Sequence, residues 1–194
     1  MNKQDIIEFF DRMAPQWDAD MIRSDHIIHT ILDNAGIGPG CRVLDVACGT
    51  GVLFPDYLDR GVASVTAVDI SPEMVKIAQG KFPEANIRVV CGDVEKIPLT
   101  GRFDAVMVYN AFPHFPDPEN LIRVLSEKLE PGGSLTIAHG MSRASIDHHH
   151  QGHASKVSMG LMSEDALASM MAPYLDVTVK ISNDHMYQVT GILR

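Results

Sequence analysis

Three aspartates set the chemistry available to this chain. Asp45, Asp69 and Asp93 each lie at or just beyond a short apolar run, and Asp45 stands four residues ahead of Gly49 in the turn Gly49-Thr50-Gly51. Glycines at such a turn let the backbone pass close to a ligand, and the helix that follows presents unpaired N–H groups. A carboxylate beside that turn repels a phosphate and suits a cation. Asp69 follows the turn by about 20 residues, the separation at which a carboxylate can accept both hydrogen bonds of a ribose diol. A dinucleotide fingerprint would need a glycine where this chain has Phe54, so no pyrophosphate seat is evident. Taken singly, Asp69 reads equally well as an ordinary strand-end carboxylate and Asp93 as a helix cap. Their succession, each at the end of a strand, points to one shared nucleoside ligand.

Histidine is the second chemical resource. Five of the nine histidines fall between His139 and His153. His149 and His153 are spaced to share a helical face, where they can chelate a metal or bracket a proton on a substrate. No cysteine neighbour or clear third ligand completes a metal site, so the metal is unknown; the stretch reads as a substrate-facing lid over residues 140–162 or as a solvated loop. His148 and His153 then face the substrate, and His139 and His149 become candidate catalytic groups. His114 has an ordinary pKa close to neutrality and can act as a general base, or be a loop histidine without chemistry. Arg143 can pair with an acidic substrate group or form a surface ion pair.

Alternating elements must position these groups. Buried strands are expected at Arg42 to Ala47, Ser64 to Val68, Ile87 to Cys91, Phe103 to Tyr109 and Ser134 to Ala138. Helices are expected at Leu53 to Arg60, Pro72 to Lys81 and Pro118 to Leu129, with two more ahead of them at Lys3 to Met13 and Asp18 to Ala35. Such alternation implies right-handed crossovers, a mainly parallel sheet and ligands at the carboxyl ends of the strands. The tail departs from this. After a helix at Glu164 to Met171, the runs Asp176 to Ile181 and Met186 to Ile192 flank a short polar turn and must pair antiparallel.

With 194 residues, 45% of them hydrophobic, one domain spanning 1–194 is expected. A formal charge of −9 gives no support for gripping nucleic acid or anionic lipid, so a small-molecule partner is the default. No signal-like start and no membrane-length apolar run is present, and three cysteines without paired spacing argue against a disulfide framework, so a cytoplasmic protein is expected. Oligomeric state is not legible.

Asp45 through Gly51, Asp69 and Gly92-Asp93-Val94 resemble the successive cofactor motifs of class I S-adenosylmethionine-dependent methyltransferases. The Ala47-Cys48-Gly49-Thr50-Gly51 turn, the run Asp69, Ser71, Met74, and Pro131-Gly132-Gly133 are similar to the subgroup of ubiquinone and menaquinone C-methyltransferases. Phe9-Phe10-Asp11, Ala14 and Trp17-Asp18 resemble that subgroup's N-terminal helical cap, here residues 1–35. The resemblance implies a Rossmann-like α/β fold with a seven-stranded sheet ordered 3-2-1-4-5-7-6 and S-adenosylmethionine as cofactor. It implies that Asp45, with the Gly49 and Gly51 backbone, holds the methionine end and Asp69 the ribose. Met74 and Val94 would face the adenine, Asp93 would take its amino group, and Ala47, Ile70 and Asn110 would complete the cofactor wall. Trp17 would lie on the acceptor side. Ala47 departs from the glycine many relatives carry there. Asn110-Ala111-Phe112-Pro113 does not match the box of DNA amino-methyltransferases, which disfavours nucleobase methylation. The other function compatible with the fold is a metal-responsive binding protein using His148 to His153.

Overall fold

The computed structural model describes residues 1–150 and 156–194, excluding the side chains of residues 148–150. Seven strands form one sheet: β1 (Arg42–Val46), β2 (Ser64–Asp69), β3 (Ile87–Cys91), β4 (Phe103–Tyr109), β5 (Leu129–His139), β6 (Leu175–Ser182) and β7 (Tyr187–Leu193). Their order is β3-β2-β1-β4-β5-β7-β6, as the resemblance implies. The first five are parallel, and β7 runs antiparallel to both β5 and β6. The helices are α1 (Lys3–Met13), α2 (Asp25–Asn34), α3 (Phe54–Asp59), α4 (Pro72–Lys81), α5 (Pro118–Ser126), α6 (Arg143–His150) and α7 (Glu164–Met171).

Residue alternation on the central strands sorts the core onto two faces. Leu44, Val46, Val106 and Val108 pack with Leu121, Ile122 and Leu125 of α5 and with Leu167 and Met171 of α7. Val43, Ala105 and Met107 pack with Ile28, Ile31 and Leu32 of α2 and with Phe54 and Tyr57 of α3. Strands buried on both sides explain why their sequences read as continuous apolar runs. The helices begin where chemistry dictates. Ser71 caps α4 by accepting from Met74 N, Asp117 caps α5 by accepting from Asn120 N, and both helices place proline in the first turn.

Two expected elements differ. The second helix starts at Asp25, not Asp18. Residues 17–24 are held instead by tertiary contacts: Thr50 Oγ1 donates to Asp18, and Arg23 donates to Val52 O and, bidentately, to Asp56. Strand β5 is longer than expected because it begins at Leu129 and carries Pro131-Gly132-Gly133 through a register shift against β4. Among the described residues no helix is long and apolar enough to cross a membrane.

Candidate active site

At the carboxyl ends of β1, β2 and β4 lies a cavity of about 660 Å³, and Asp45, Asp69 and Asp93 all line it. Most of the remaining wall is apolar, supplied by α1, residues 13–23, the exit of β4 and Ile146 of α6. The only lysine and arginine among its described walls are Lys3 and Arg23, each already paired with two carboxylates. A phosphate would find no uncommitted side-chain cation here, which agrees with the loss of the third dinucleotide glycine at the fully buried Phe54.

Asp45 is 2% exposed on β1, and no cationic side chain pairs with it among the described residues. Burial, opposed by nearby Tyr57 and reinforced by the charge of Asp69, pushes its pKa up to about 8. The Tyr57 hydroxyl is buried and makes no hydrogen bond of ordinary length. A carboxylate this deeply desolvated becomes favourable when a cation is placed against it. The adjoining turn is built from three residues with positive φ, Ala47 (56°), Gly49 (56°) and Gly51 (85°). Glycine is the usual solution in this region, and Ala47 carries its Cβ there at some cost. Gly51 does not line the cavity: a Cβ on it would stand 2.7 Å from the Phe54 ring and 2.9 Å from that of Phe82.

Asp69, at the end of β2, accepts from Gly49 N through one oxygen and from Ser71 N through the other, both at 2.8 Å. It therefore ties the glycine turn to the start of α4 as well as facing the cavity. Burial raises its pKa, against the lowering effect of those amide bonds. Ile70, Met74, Val94 and Asp93 line the same cavity. Asp93 accepts from Lys3 Nζ at 2.7 Å and from Glu95 N at 3.1 Å. Lys3 carried no sequence signal, because its partner is 90 residues away.

The other half of the cavity is closed by two segments. Asn110, with φ of 54°, donates its backbone N–H to Ala138 and accepts from Gly140 N through Oδ1. Trp17 lies edge-on to Phe10 and over Gly49. His114 stacks edge-on against Phe10, and its Nδ1 is 2.7 Å from the carbonyl oxygen of Val157. His139 is buried at the end of β5 and stacks edge-on with Tyr187. Both histidines line the cavity. Arg143 lies outside that lining and pairs with Asp147 at 3.8 Å. The side chains of His148 and His149, and His153 entirely, lie outside the described residues. Among the described residues no group of three His, Cys, Asp or Glu is placed to hold a metal.

Sheet order, glycine turn and strand-end carboxylates together are those of the class I S-adenosylmethionine-dependent methyltransferase fold. Residues 44–137 match the family model described as Methyltransferase domain. A malonyl-[acyl-carrier protein] O-methyltransferase from Acetivibrio thermocellus is 32% identical over 141 residues, covering 71% of this chain and 50% of the relative. A ubiquinone biosynthesis O-methyltransferase from Xanthomonas oryzae pv. oryzae is 41% identical over 103 residues, covering 51% and 43%. The chain thus spans about half the length of the curated relatives it matches. Among solved structures, a putative methyltransferase in complex with the Trm112 activator of Haloferax volcanii superposes with a TM-score of 0.80 at 18% identity, over 95% of this chain and 97% of that one. The N-methyltransferase NodS of Bradyrhizobium japonicum, bound to S-adenosylhomocysteine, gives 0.76 at 14% identity over 96% and 97%.

The residues present fit the cofactor of this family. A buried carboxylate with no cationic partner among the described residues suits the ammonium of its methionyl end, and a carboxylate at the end of β2 suits its ribose diol. The apolar Met74 and Val94 in the cavity wall suit a planar base.

Proposed function

We propose that this chain, as one domain spanning 1–194, transfers a methyl group from S-adenosylmethionine to a small, largely apolar acceptor by in-line displacement. The observation that carries the proposal is Asp45, a buried carboxylate with no cationic partner among the described residues, in the same cavity as Asp69 and Asp93. Bound S-adenosylmethionine supplies the electrophilic methyl group, so the protein's work is alignment, exclusion of water and management of one proton. Asp45 and the Gly49 backbone hold the charged end. Asp69 fixes the ribose while keeping the turn closed.

The apolar wall supplied by α1 and residues 13–23 excludes water from the reacting end. His114 takes the acceptor's proton. A carbonyl can only accept, so in the neutral ring the Nδ1 that contacts Val157 O carries the proton. An oxygen acceptor agrees with the names of the two curated relatives. Paired states of Lys3 and Arg23 disfavour an anionic acceptor. Three free cysteines agree with a reducing, cytoplasmic setting.

Calorimetric titration with S-adenosylmethionine and S-adenosylhomocysteine, with NADH as control, tests the cofactor half. Binding of both sulfur ligands and not NADH is expected, weakened in Asp45→Asn. Silence with both sulfur ligands removes the assignment. A screen of hydroxyl, thiol and amine acceptors for S-adenosylhomocysteine release then identifies the class of acceptor.

A further inference from the structure

The helix α1 and the residues just after it fasten to three of the segments that line the proposed cofactor site. At its start Lys3 donates to Asp93 at 2.7 Å and also to Glu95, and Glu95 in turn accepts from Asn120 Nδ2 at 2.6 Å. At its end Asp11 accepts from the Ser71 hydroxyl and from Glu73 N at 3.2 Å, at the N-terminus of α4. A few residues on, Asp18 accepts from Thr50 in the glycine turn and pairs with Lys81. Between these fastenings Ile6, Phe9 and Phe10 face the cavity. Four loops and helix ends far apart in sequence are thus bridged by one amphipathic segment.

We propose that Lys3 and Asp11 are positioning residues of the cofactor site, which make α1 its outer wall and hold the bound nucleoside in place. This rests on the S-adenosylmethionine reading above. Asp93 is the shared element. One of its oxygens takes Lys3 and the other takes Glu95 N, so the carboxylate is fixed in orientation before a base arrives. Desolvation alone would lower the Lys3 pKa, yet the bonds and charges of Asp93 and Glu95 raise it, so the clasp stays charged at neutral pH. Asp11 acts at the opposite end. Its carboxylate holds the Ser71 hydroxyl, and Ser71 N is one of the two donors that orient Asp69. A ligand seated beneath α1 therefore leaves only after these contacts open, and their loss is read as faster release.

The chain contains one tryptophan, Trp17, seated over Gly49, so its fluorescence reports on ligand in the site. Release of S-adenosylhomocysteine is followed by stopped-flow displacement in wild type, Lys3→Met, Lys3→Arg and Asp11→Asn. Lys3→Met and Asp11→Asn should each raise the dissociation rate constant about five- to tenfold, the size expected for losing a charge-assisted contact. Lys3→Arg should stay within about twofold of wild type, because the cation is restored. Because both variants free the same helix, the doubly substituted Lys3→Met, Asp11→Asn chain should release the ligand less fast than the product of the single effects predicts. Amide exchange across α1 should slow when wild type is saturated. Wild-type binding with unchanged release in both single variants overturns the inference and leaves the methyltransferase reading standing. Failure of the wild type to bind overturns both.

Discussion

The buried carboxylate of Asp45 makes cofactor binding a proton-linked event, and the size of the linkage can be worked out. Its pKa in the free protein is about 8, against a usual value of 3.8, because burial penalises the charged form. At pH 7 such a group is about 90% protonated, and at pH 6 about 99%. An ammonium placed against it favours the carboxylate and returns its pKa towards the ordinary range. Binding therefore releases about 0.9 proton at pH 7. It also becomes tighter with rising pH, by close to one decade per unit below about pH 7 and less steeply towards pH 8. Between pH 6 and pH 8 the ionised fraction rises from about 1% to about 50%, so affinity should rise about fiftyfold, or about 2.3 kcal/mol.

The same group has the opposite effect on the ligand-free fold. A carboxyl whose folded pKa lies above its unfolded value costs nothing while both states are protonated, and destabilises progressively as pH climbs from about 4 to about 8. Saturating ligand should remove that slope. The assay is titration calorimetry with S-adenosylhomocysteine at pH 6, 7 and 8 in buffers of unlike ionisation enthalpy, which gives proton release directly. Asp45→Asn should bind more weakly, release almost no proton and show a flat profile. 5′-Methylthioadenosine, which lacks the ammonium, should also be flat with the wild-type protein. A flat wild-type profile with proton release below about 0.2 would refute the reasoning, since the free carboxyl would then already be ionised at pH 6.

Gly51→Ala combines a φ of 85° with contacts of 2.7 to 2.9 Å to Phe54 and Phe82, and should cost about 2–4 kcal/mol in denaturant unfolding. Gly80→Ala, inside α4 with nothing within 4 Å, should be neutral or stabilising by up to about 1 kcal/mol in the same assay. At Ala47 the change to glycine relieves the Cβ strain of a positive φ and adds unfolded-chain freedom, so stability should move by less than about 1 kcal/mol and cofactor affinity stay near wild type. Asp69→Ala removes the partner of two amides as well as a ligand group. It should lower stability by about 2–4 kcal/mol and weaken S-adenosylhomocysteine binding, two losses separable by melting with and without ligand.

How much of this was legible in the sequence depended on the range of the interactions concerned. Strand positions were readable because each is local, a short apolar run bounded by turn residues, whereas the sheet order came from the family resemblance. Asp45 lies within such a run and Asp69 and Asp93 at or just beyond the end of one, and the sheet brings all three to one cavity. The second role of Asp69, orienting Gly49 and Ser71, was not readable, because a hydrogen bond back to a turn 20 residues earlier leaves no periodic trace. The start of α2 was misplaced for a related reason. Residues 18–24 have the composition of a helix, yet Thr50, Val52 and Asp56 bind Asp18 and Arg23 strongly enough to hold the segment in an irregular path.

Lys3 is the extreme case. Nothing near it in sequence distinguishes it from any surface lysine, and its value comes entirely from the sheet carrying Asp93 and Glu95 to the same rim that α1 crosses. A surface lysine pair is ordinarily worth little, but Asp93 and Glu95 are 16% and 7% exposed, so here the carboxylates are already partly desolvated. Removing the ammonium takes from Asp93 and Glu95 the cation they share, so α1 loses its hold on that loop. Faster release from Lys3→Met beside near wild-type release from Lys3→Arg is therefore the expected pattern, and equal release from Lys3→Met and wild type excludes this role of the clasp.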